Sequence, residues 1–475
     1  MPLILPGNVA SATASTTFSV ANSCMFNDGD TAYMHKTFDA GGTETAWTIS
    51  MWVKRGALGA DQRIFSCDDS SDGDPDNYWR FNSDDTLRVQ IYNGSSIGFL
   101  STNRVFRDCS AWYHVCVIWN SADGTEEDRL QLWVNGTRET SFSSTTYPSQ
   151  NAVTVTSSQV VAIGRRNYAG EQYFDGYLAE VVFLDGVTAS PVGTLGEFDE
   201  DSPTIWKPID VSGLTFGTNG FYLDFEDSAN LGNDANGGTD FTEVNLAATD
   251  QMTDSPTNNF PTNNPLYGQM ESAYHPASEE GNLQNTSGTT QWKNSISTIG
   301  VTAGKWFMEA KIISVTPGEG DAGDYELVGV TDAFHPNNWG GTSFNNYTGF
   351  GALQIGYYHT GTYYKDGSGS SYGDSFTAGD IIGVALNVDD LEIKFYKNGT
   401  VQNSGTAIAL PTSASSTGLW LFMQSSYNSV ISMNYGSPAI AITSGNADAD
   451  GYGNFEYAVP SGFYALCTKN LAEYG

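Results

Sequence analysis

Basic residues are scarce in this chain. Lys and Arg together number 20 among 475 residues, against 54 Asp and Glu, so the formal net charge is −34. A surface this negative repels phosphate backbones, and we therefore expect no nucleic-acid partner. The charge favours solubility and could attract divalent cations, although a solvating acidic surface is the simpler interpretation.

Cysteines are also few, and their placement follows no framework. They number 5, an odd count whose scattered spacing fits neither a set of disulfides nor a zinc site. Cys116 lies within the apolar run WYHVCVIW, where we expect a buried thiol that acts as a small hydrophobic residue. The pattern predicts folding in a reducing compartment. The cysteines are Cys24, Cys67, Cys109, Cys116 and Cys467.

A basic leader and long apolar runs are missing as well. The first residues, MPLILPGNVASATAST, carry no positive charge in their side chains, and Pro6 interrupts a very short apolar run. We therefore expect no secretory signal peptide. No later run is long enough for a membrane-spanning helix, so no membrane insertion is expected.

Aromatic residues and glycine are abundant. Phe, Tyr and Trp make up 13% of the sequence, and Gly numbers 52. Many short runs alternate polar and apolar residues between turn signals, and no long stretch has helical periodicity. Within residues 45–55, for example, Trp47, Ile49, Met51 and Val53 share one apolar parity. The sequence predicts an all-β chain with two antiparallel, jelly-roll-like β-sandwiches.

Changes in composition divide the chain into segments. A turn-rich connector dense in Asn, Asp, Gly and Pro joins the two predicted sandwiches, and its aromatic residues suggest that it packs against its neighbours. The predicted segments are an extended arm at 1–22, a first sandwich at 23–186, the connector at 187–268, a second sandwich at 269–440 and a C-terminal segment at 441–475.

The tripeptide Asn-Gly-Thr ends a predicted strand twice, at 135–137 and at 398–400. Asn-Gly is the preferred central pair of a type I′ hairpin turn, because both positions need a positive φ. The same residues fit a glycosylation acceptor. The cysteine pattern and the missing leader favour turns, so we predict one hairpin tip in each sandwich.

Two stretches of the chain resemble known families. Residues 23–186 resemble the laminin-G-like, concanavalin-type jelly-roll family through TISMWVK, AWYHVCVIWN, LQLWVNGT and FDGYLAEVVFLDG. Residues 275–436 resemble the SPRY family through GKWFMEAKI, VGVTD and GDIIGVALNVDDLEIKFYKNGT. Both resemblances imply two-sheet sandwiches, and the second implies partner binding through loops.

Catalytic motifs are missing from the sequence. Concanavalin-type glycosidases carry Glu-x-Asp-x-x-Glu, and the nearest match begins at Glu197 with Ser202 in place of the second Glu. The carboxylates at 126–128 belong to a predicted hairpin loop. His114 is expected to be a hydrogen-bonded structural residue rather than a metal ligand. We predict that the chain is not an enzyme.

An acidic loop is the candidate for a metal site. The run CDDSSDGDPDN offers hard oxygen ligands at alternating spacing, which can hold Ca²⁺, although it lacks the Gly offset and the terminal Glu of an EF-hand. Calcium at a sandwich rim also follows from the laminin-G-like resemblance. The absence of any cofactor is the alternative. The candidate ligands are Asp68, Asp72, Asp74 and Asp76.

Two aromatic loops are the candidates for ligand binding. Residues 334–347 and 357–373 combine flat aromatic rings with amide and hydroxyl groups, which suits sugars or peptides. Covering a sheet or meeting another subunit is the alternative role for these rings. The candidate residues are Asn337, Asn338, Trp339, Tyr357, Tyr358, His359, Tyr363, Tyr364 and Tyr372.

The overall layout resembles virion proteins of tailed phages, in particular marine ones. The likeness rests on PLILPGNVASATA, FNDGDTAYMHKTF, FDGYLAEVVFLDG, DSPTNNFPTNNPL and SGFYALCTKNL. It implies synthesis in a host cytoplasm and display on the virion surface as a tail fibre, tail tip or head fibre, with a homotrimer as the assembly. The arm would contact other virion proteins, and the sandwiches would bind host-surface glycan or protein.

Two other functions stay open. One is a purely structural capsid decoration protein that binds only the particle. The other is a capsule or polysaccharide depolymerase with an unrecognised carboxylate pair, against which the missing Glu-x-Asp-x-x-Glu strand argues.

Overall fold

The chain folds almost entirely into antiparallel β-sheet, which confirms the predicted fold class. Two compact units are present: the described residues up to Thr257 form the first, and those from Asn258 onward form the second. The computed structural model describes residues 18–68, 77–154, 157–167, 170–266, 276–288, 292–315, 325–332, 353–365, 368–412 and 417–475.

The first unit contains two eight-stranded sheets. Its strands are β1 (Ser23–Phe26), β2 (Tyr33–Thr37), β3 (Ala46–Arg55), β4 (Gln62–Asp68), β5 (Asn77–Phe81), β6 (Thr86–Tyr92), β7 (Ser96–Val105), β8 (Trp112–Asn120), β9 (Leu130–Val134), β10 (Thr137–Arg138), β11 (Phe142–Thr146), β12 (Val160–Ile163), β13 (Gly176–Asp185), β14 (Glu197–Phe198), β15 (Trp206–Lys207), β16 (Phe221–Leu223), β17 (Thr242–Val244) and β18 (Gln251–Met252). Sheet A has the order β10-β9-β8-β3-β13-β1-β18, with β16 also paired to β13. Sheet B has the order β11-β7-β6-β5-β4-β12-β2-β17.

The core of the first unit lies between sheets A and B. The apolar parity of β3 faces this core, as predicted, and includes Trp47 and Val53. The ring of Trp47 stacks on that of Trp119 from β8, with centroids 6.2 Å apart. Large aromatic rings such as these bury much apolar area and dominate the energy of a core.

The segment predicted as a connector is largely part of the first unit. Strand β16 pairs with β13 and β18 pairs with β1 in sheet A, while β17 pairs with β2 in sheet B. Phe216 and Tyr222 pack with Val182 and Leu184 over the outer face of sheet A. The Asn, Asp and Gly residues that suggested a linker instead provide turns between very short strands.

The second unit contains a nine-stranded sheet C and a six-stranded sheet D. Its strands are β19 (Ala277–Glu279), β20 (Gln284–Thr286), β21 (Lys293–Ile296), β22 (Lys305–Val315), β23 (Tyr325–Asp332), β24 (Gln354–Tyr358), β25 (Thr362–Lys365), β26 (Ser368–Ser371), β27 (Ile381–Asn387), β28 (Glu392–Lys397), β29 (Thr400–Val401), β30 (Ile408–Ala409), β31 (Trp420–Tyr427), β32 (Ser429–Asn434) and β33 (Tyr464–Ala465). Sheet C has the order β19-β20-β32-β22-β27-β28-β29, with β30 on β28 and β33 on β22. Sheet D has the order β21-β31-β23-β24-β25-β26.

The C-terminal segment covers one face of sheet C. Strand β33 pairs in parallel with β22, and helix α1 (Thr468–Tyr474) follows it. Phe455 and Cys467 pack against Phe307 and Ala385 of the sheet. Residues 441–475 therefore complete the second unit. Short 3-10 turns occur at Glu126–Asp128, Ala248–Asp250 and Asn403–Gly405.

Both Asn-Gly pairs form the predicted hairpin tips. Asn135 and Gly136 have φ values of 48° and 69°, and Asn398 and Gly399 have values of 47° and 75°. The side-chain oxygen of each Asn accepts a hydrogen bond from a neighbouring strand, 2.8 Å from His114 N in one case and 2.8 Å from Ile381 N in the other. The turn interpretation is confirmed.

Little of the predicted N-terminal arm falls within the described residues. Its last part packs against the end of the first unit, where the Val20 carbonyl accepts hydrogen bonds from Ser255 Oγ and Thr257 Oγ1. Attachment of the arm to another protein stays a prediction. In the part of the chain that the structure describes, no helix is long and apolar enough to cross a membrane.

Candidate functional site

Only one of the two predicted aromatic loops lies within the described residues, and it is not a loop. Residues 334–347, with Asn337, Asn338 and Trp339, lie outside the described residues. Residues 357–373 are not a loop, because β24, β25 and β26 form consecutive antiparallel hairpins in sheet D. Tyrosine favours strands, and Gly361 at φ 86° permits the tight connection after β24.

Three of the predicted ligand-binding tyrosines are core residues. Tyr357 is 0% exposed, and its ring stacks on Phe395 with centroids 5.4 Å apart. Tyr372 is 5% exposed and makes an edge contact with Tyr357. Tyr358, 4% exposed, points to the opposite face of sheet D and packs with Leu327. The prediction that these rings are open to a ligand is wrong, because consecutive strand residues enter packed layers on both faces of the sheet.

The remaining described candidates are partly exposed. His359, Tyr363 and Tyr364 are half-buried, and all the residues of β26, Ser368–Ser371, are exposed. We call His359, Tyr363, Tyr364 and β26 the tyrosine edge. It lies at the end of sheet D, since β26 is the last strand of its described order.

Buried tyrosines orient the rings of the tyrosine edge. The Tyr364 ring meets Tyr358 edge-on at 5.5 Å, and the Tyr363 ring meets Tyr372 edge-on at 5.9 Å. Each exposed ring is therefore held by a neighbour from the core, which lowers the entropy lost when a ligand binds. Because Tyr363 and Tyr364 are consecutive in β25, they present rings on opposite faces of the sheet.

Polar groups beside these rings can supply hydrogen bonds. Strand β26 contains only Ser and Gly, and serine hydroxyls both donate and accept. Lys365, which the sequence reasoning missed, adds a positive charge held in place by a 2.7 Å hydrogen bond from Nζ to the Ala409 carbonyl. The sequence could have indicated Lys365 as a candidate ligand-binding residue, because it directly follows Tyr363 and Tyr364. The tyrosine edge can thus stack on a sugar or a peptide and hydrogen-bond to it.

The predicted calcium ligands are not described. Asp72, Asp74 and Asp76 lie outside the described residues, and Asp68 ends β4 with its side chain likewise outside the description. Calcium binding by this loop stays a prediction. Elsewhere in the described ranges, no group of three or more His, Cys, Asp or Glu side chains is arranged to hold a metal ion.

The nearest match to a glycosidase motif lies in a short hairpin and stabilises it. Strand β14 pairs with β15, and Lys207 Nζ lies 3.2 Å from Glu197 Oε1 and 3.5 Å from Asp199 Oδ2. Asp199 Oδ1 also accepts the backbone N–H groups of Asp201 and Ser202. These carboxylates are committed to structural contacts.

The residues expected to be structural occupy the core. His114 is 0% exposed, its Nε2 lies 2.7 Å from Ser50 Oγ, and burial lowers its pKa to about 3, so it stays neutral. The prediction of a hydrogen-bonded structural histidine is confirmed. The five cysteines are all free and buried, including Cys116, whose pKa burial raises.

Comparisons with known proteins match two separate segments of the chain to two families. Residues 27–190 match the family model described as the concanavalin A-like lectin/glucanases superfamily, a laminin-G-type model. Residues 297–438 match the SPRY domain. No curated protein sequence matches the chain.

Two solved structures illustrate the likeness at low identity. The SPRY domain of human HERC1 is 20% identical over 32% of this chain and 87% of that domain, with a TM-score of 0.24. The heptameric SAP-like pentraxin from Limulus polyphemus is 18% identical over 42% of this chain and 100% of its own, with a TM-score of 0.30. On the evidence of the two family models, the chain carries a concanavalin A-like, laminin-G-type domain followed by a SPRY domain.

Proposed function

We propose that this chain is a non-enzymatic binding protein whose tyrosine edge contacts a glycan or a protein on another surface. The proposal rests on the arrangement of Tyr363 and Tyr364, whose half-buried rings are each held edge-on by a buried tyrosine. Beside them lies the exposed strand β26, which contains only Ser and Gly. Preorganised aromatic faces beside small hydroxyl residues are typical of adaptable binding surfaces.

The finer proposal is a virion-surface protein that displays both sandwiches to a host cell. Its support is the resemblance of the sequence to tailed-phage virion proteins, together with five buried free thiols that suit assembly in a reducing cytoplasm. A homotrimeric fibre attached through the N-terminal arm belongs to this proposal. Host-surface glycan or protein would be the ligand of the displayed domains.

The test uses the purified full-length chain on an array of immobilised bacterial surface polysaccharides and envelope proteins. We expect the wild type to bind a subset of the array and the variant Tyr363→Ala with Tyr364→Ala to lose at least tenfold in affinity for it. The double variant removes the ring from each face of the edge, so it removes whichever aromatic contact the ligand makes, and such a loss has an effect of this size. The matched control is Tyr173→Ala, which removes a half-buried tyrosine from the first unit.

Two outcomes would overturn the proposal. Unchanged binding by the double variant, with unfolding like that of the wild type, would place recognition away from the tyrosine edge. Release of reducing ends from a polysaccharide by the wild type would show catalysis, and so favour a depolymerase over a binder.

A further inference from the structure

A row of arginines crosses the outer face of sheet B. Arg63 on β4 lies directly opposite Arg80 on β5, and Arg80 lies directly opposite Arg88 on β6. Their neighbours Trp79 and Phe81 point into the core, so the row lies on the outer face, where Arg63 is only 4% exposed and the other two arginines are partly exposed. Like charges directly opposite each other destabilise a sheet. Breaking a local rule at such a cost is typical of functional sites.

Aromatic rings fix the planes of these guanidinium groups. Arg63 lies 4.2 Å and Arg80 lies 5.4 Å from the centroid of the Tyr78 ring. Arg88 lies 4.3 Å from the centroid of Phe99 on β7. Stacking of this kind is favourable and leaves the N–H groups at the edge of each guanidinium plane, where they can form paired hydrogen bonds with a carboxylate.

Little negative charge is carried by the strands around Arg88. Strands β5, β6, β7 and β11 contain no Asp or Glu, in a chain that has 54 of them. Arg80 forms an ion pair of 3.0 Å with Asp61, and its side chain is 20% exposed. All the arginines of the chain lie between residues 55 and 166, within the first unit.

Arg88 is the member of the row that is available to a ligand. It is partly exposed, and its side chain donates to Ser101 Oγ at 3.2 Å and to Gln90 Oε1 at 2.9 Å. Within the part of the chain that the structure describes, it has no ion-pair partner, and its buried Nε has no hydrogen-bond partner. Ser144 and Thr146 of β11 are exposed on the same face, beyond β7.

We propose that the exposed end of this arginine row binds an acidic sugar residue of a glycan, with Arg88 facing its carboxylate and Arg80 beside it. Arg63 is buried and bonded to Gln172, so it supports the row without contacting the ligand. The guanidinium group of Arg88 can bind the carboxylate of such a sugar, and the ring of Phe99 can contact the sugar ring. The hydroxyls of β11 can form hydrogen bonds with the sugar hydroxyls. Distant carboxylates of the chain oppose this little, because salt screens exposed charges beyond about 8 Å. A nucleic-acid duplex, with about one charge per 1.7 Å, would extend beyond the row and lie close to the acidic surface around it, which repels it.

The experiment measures binding of the full-length chain to immobilised galacturonate oligomers and to matching neutral galactose oligomers. We expect binding to the acidic oligomers alone, with an affinity that falls as salt is raised. Arg88→Gln should weaken that affinity at least tenfold, the usual range for a hydrogen bond to a charged group. The matched control Arg138→Gln removes an arginine of sheet A that is 32% exposed and paired with Asp128, and should leave the affinity unchanged.

Arg88→Lys keeps the charge and most of the stem, so it provides a second variant if Arg88→Gln does not fold. We expect it to bind several-fold more weakly than the wild type, since an ammonium group cannot form the paired bonds of a guanidinium. Equal affinity of this variant and the wild type, equal binding of neutral oligomers, or an equal loss in Arg138→Gln would each overturn the proposal. Tyr363→Ala with Tyr364→Ala should not change galacturonate binding, so failure here is separate from failure of the tyrosine edge.

Discussion

Strand β13 holds Glu180 within sheet A of the first unit, and strand β22 holds Glu309 within sheet C of the second. Glu180 Oε2 accepts a 2.7 Å hydrogen bond from the hydroxyl of Tyr222. Glu309 accepts hydrogen bonds from the backbone N–H groups of Glu456 and Tyr457, at 2.8 and 2.9 Å. In each unit a carboxyl on a long strand thus holds the chain segment that covers the sheet.

The two units differ in the charge they bury. In the first unit Lys54 is fully buried, with its Nζ 2.6 Å from Asp254 Oδ2, and Trp112 Nε1 donates to the other oxygen of that carboxylate at 3.0 Å. Among the described residues of the second unit, the ion pair of Lys305 with Asp390 is exposed and that of Lys397 with Asp380 is partly exposed. Segments beyond the residues that match the two family models are thus fixed by specific polar contacts. These include a buried ion pair in the first unit and hydrogen bonds from backbone N–H groups to Glu309 in the second.

Asp254→Ala should have the largest effect and should act on the first unit alone. It would remove the carboxylate beside a fully buried ammonium group, and breaking a buried ion pair costs about 3–5 kcal/mol. We expect urea unfolding of the full-length chain to show an earlier transition for the first unit and an unchanged one for the second. Asp390→Ala, which removes an exposed partner in the second unit, should cost under about 1 kcal/mol. Equal losses of unfolding free energy in the two variants would contradict the stated difference between the two units.

Stability should fall as the pH rises, because burial raises the pKa of both glutamates above the ordinary value of 4.5, to about 8 for Glu180 and about 7 for Glu309. The folded chain then holds a proton that the unfolded chain releases, so the stabilisation is full below pH 4.5 and is lost as the pH passes through the folded pKa. Unfolding measured from pH 4.5 to 8 checks this.

The matched variants sharpen the same comparison. Glu180→Gln still accepts the Tyr222 hydroxyl, so it should flatten the pH dependence of the first unit at little cost. Glu309→Gln can accept only one of its two backbone N–H groups and should destabilise the second unit by about 1–3 kcal/mol. Burial also raises the pKa of Asp250 in the first unit, to about 6, so the decisive range lies above pH 6. A first unit whose stability still falls with pH in that range in Glu180→Gln would contradict the assignment.

Substitutions at the two hairpin tips should cost less than Asp254→Ala. A Cβ at Gly136 would lie 2.2 Å from Trp206, and one at Gly399 would lie 2.6 Å from Tyr457. Both glycines also have positive φ, which costs other residues about 1–2 kcal/mol. We expect Gly136→Ala to destabilise more than Gly399→Ala, because the indole of Trp206 is buried among its neighbours. Thermal unfolding of the two variants measures which one loses more stability. A larger loss in Gly399→Ala would contradict the argument from packing against Trp206.

Much of the fold could be predicted from the sequence, because alternation marks strands that have one buried face. Strand β9 shows this clearly, since Leu130, Leu132 and Val134 are buried and the residues between them are not. Strands β7 and β11 were missed, since SIGFLSTNRV alternates weakly and FSSTT is exposed along most of its length. The end of the first unit was placed too early because β16, β17 and β18 are only two or three residues long.

The candidate sites were harder to predict, because they depend on which strands become neighbours. The sequence marks the tyrosines of residues 357–373 as a group, but only pairing shows that Tyr357 faces the interior while Tyr363 reaches the edge. The arginine row likewise depends on which strands pair. Arg63, Arg80 and Arg88 are far apart in sequence and meet through register alone.

The central claim is that the chain carries two separate binding surfaces, one on each sandwich. The most direct test compares the wild type, Arg88→Gln and the Tyr363/Tyr364 double alanine variant on one array of acidic glycans, neutral glycans and envelope proteins. The account predicts that Arg88→Gln loses the acidic glycans alone and that the tyrosine variant loses a different set. A wild type that binds nothing on the array, or two variants that lose the same ligands, would contradict it.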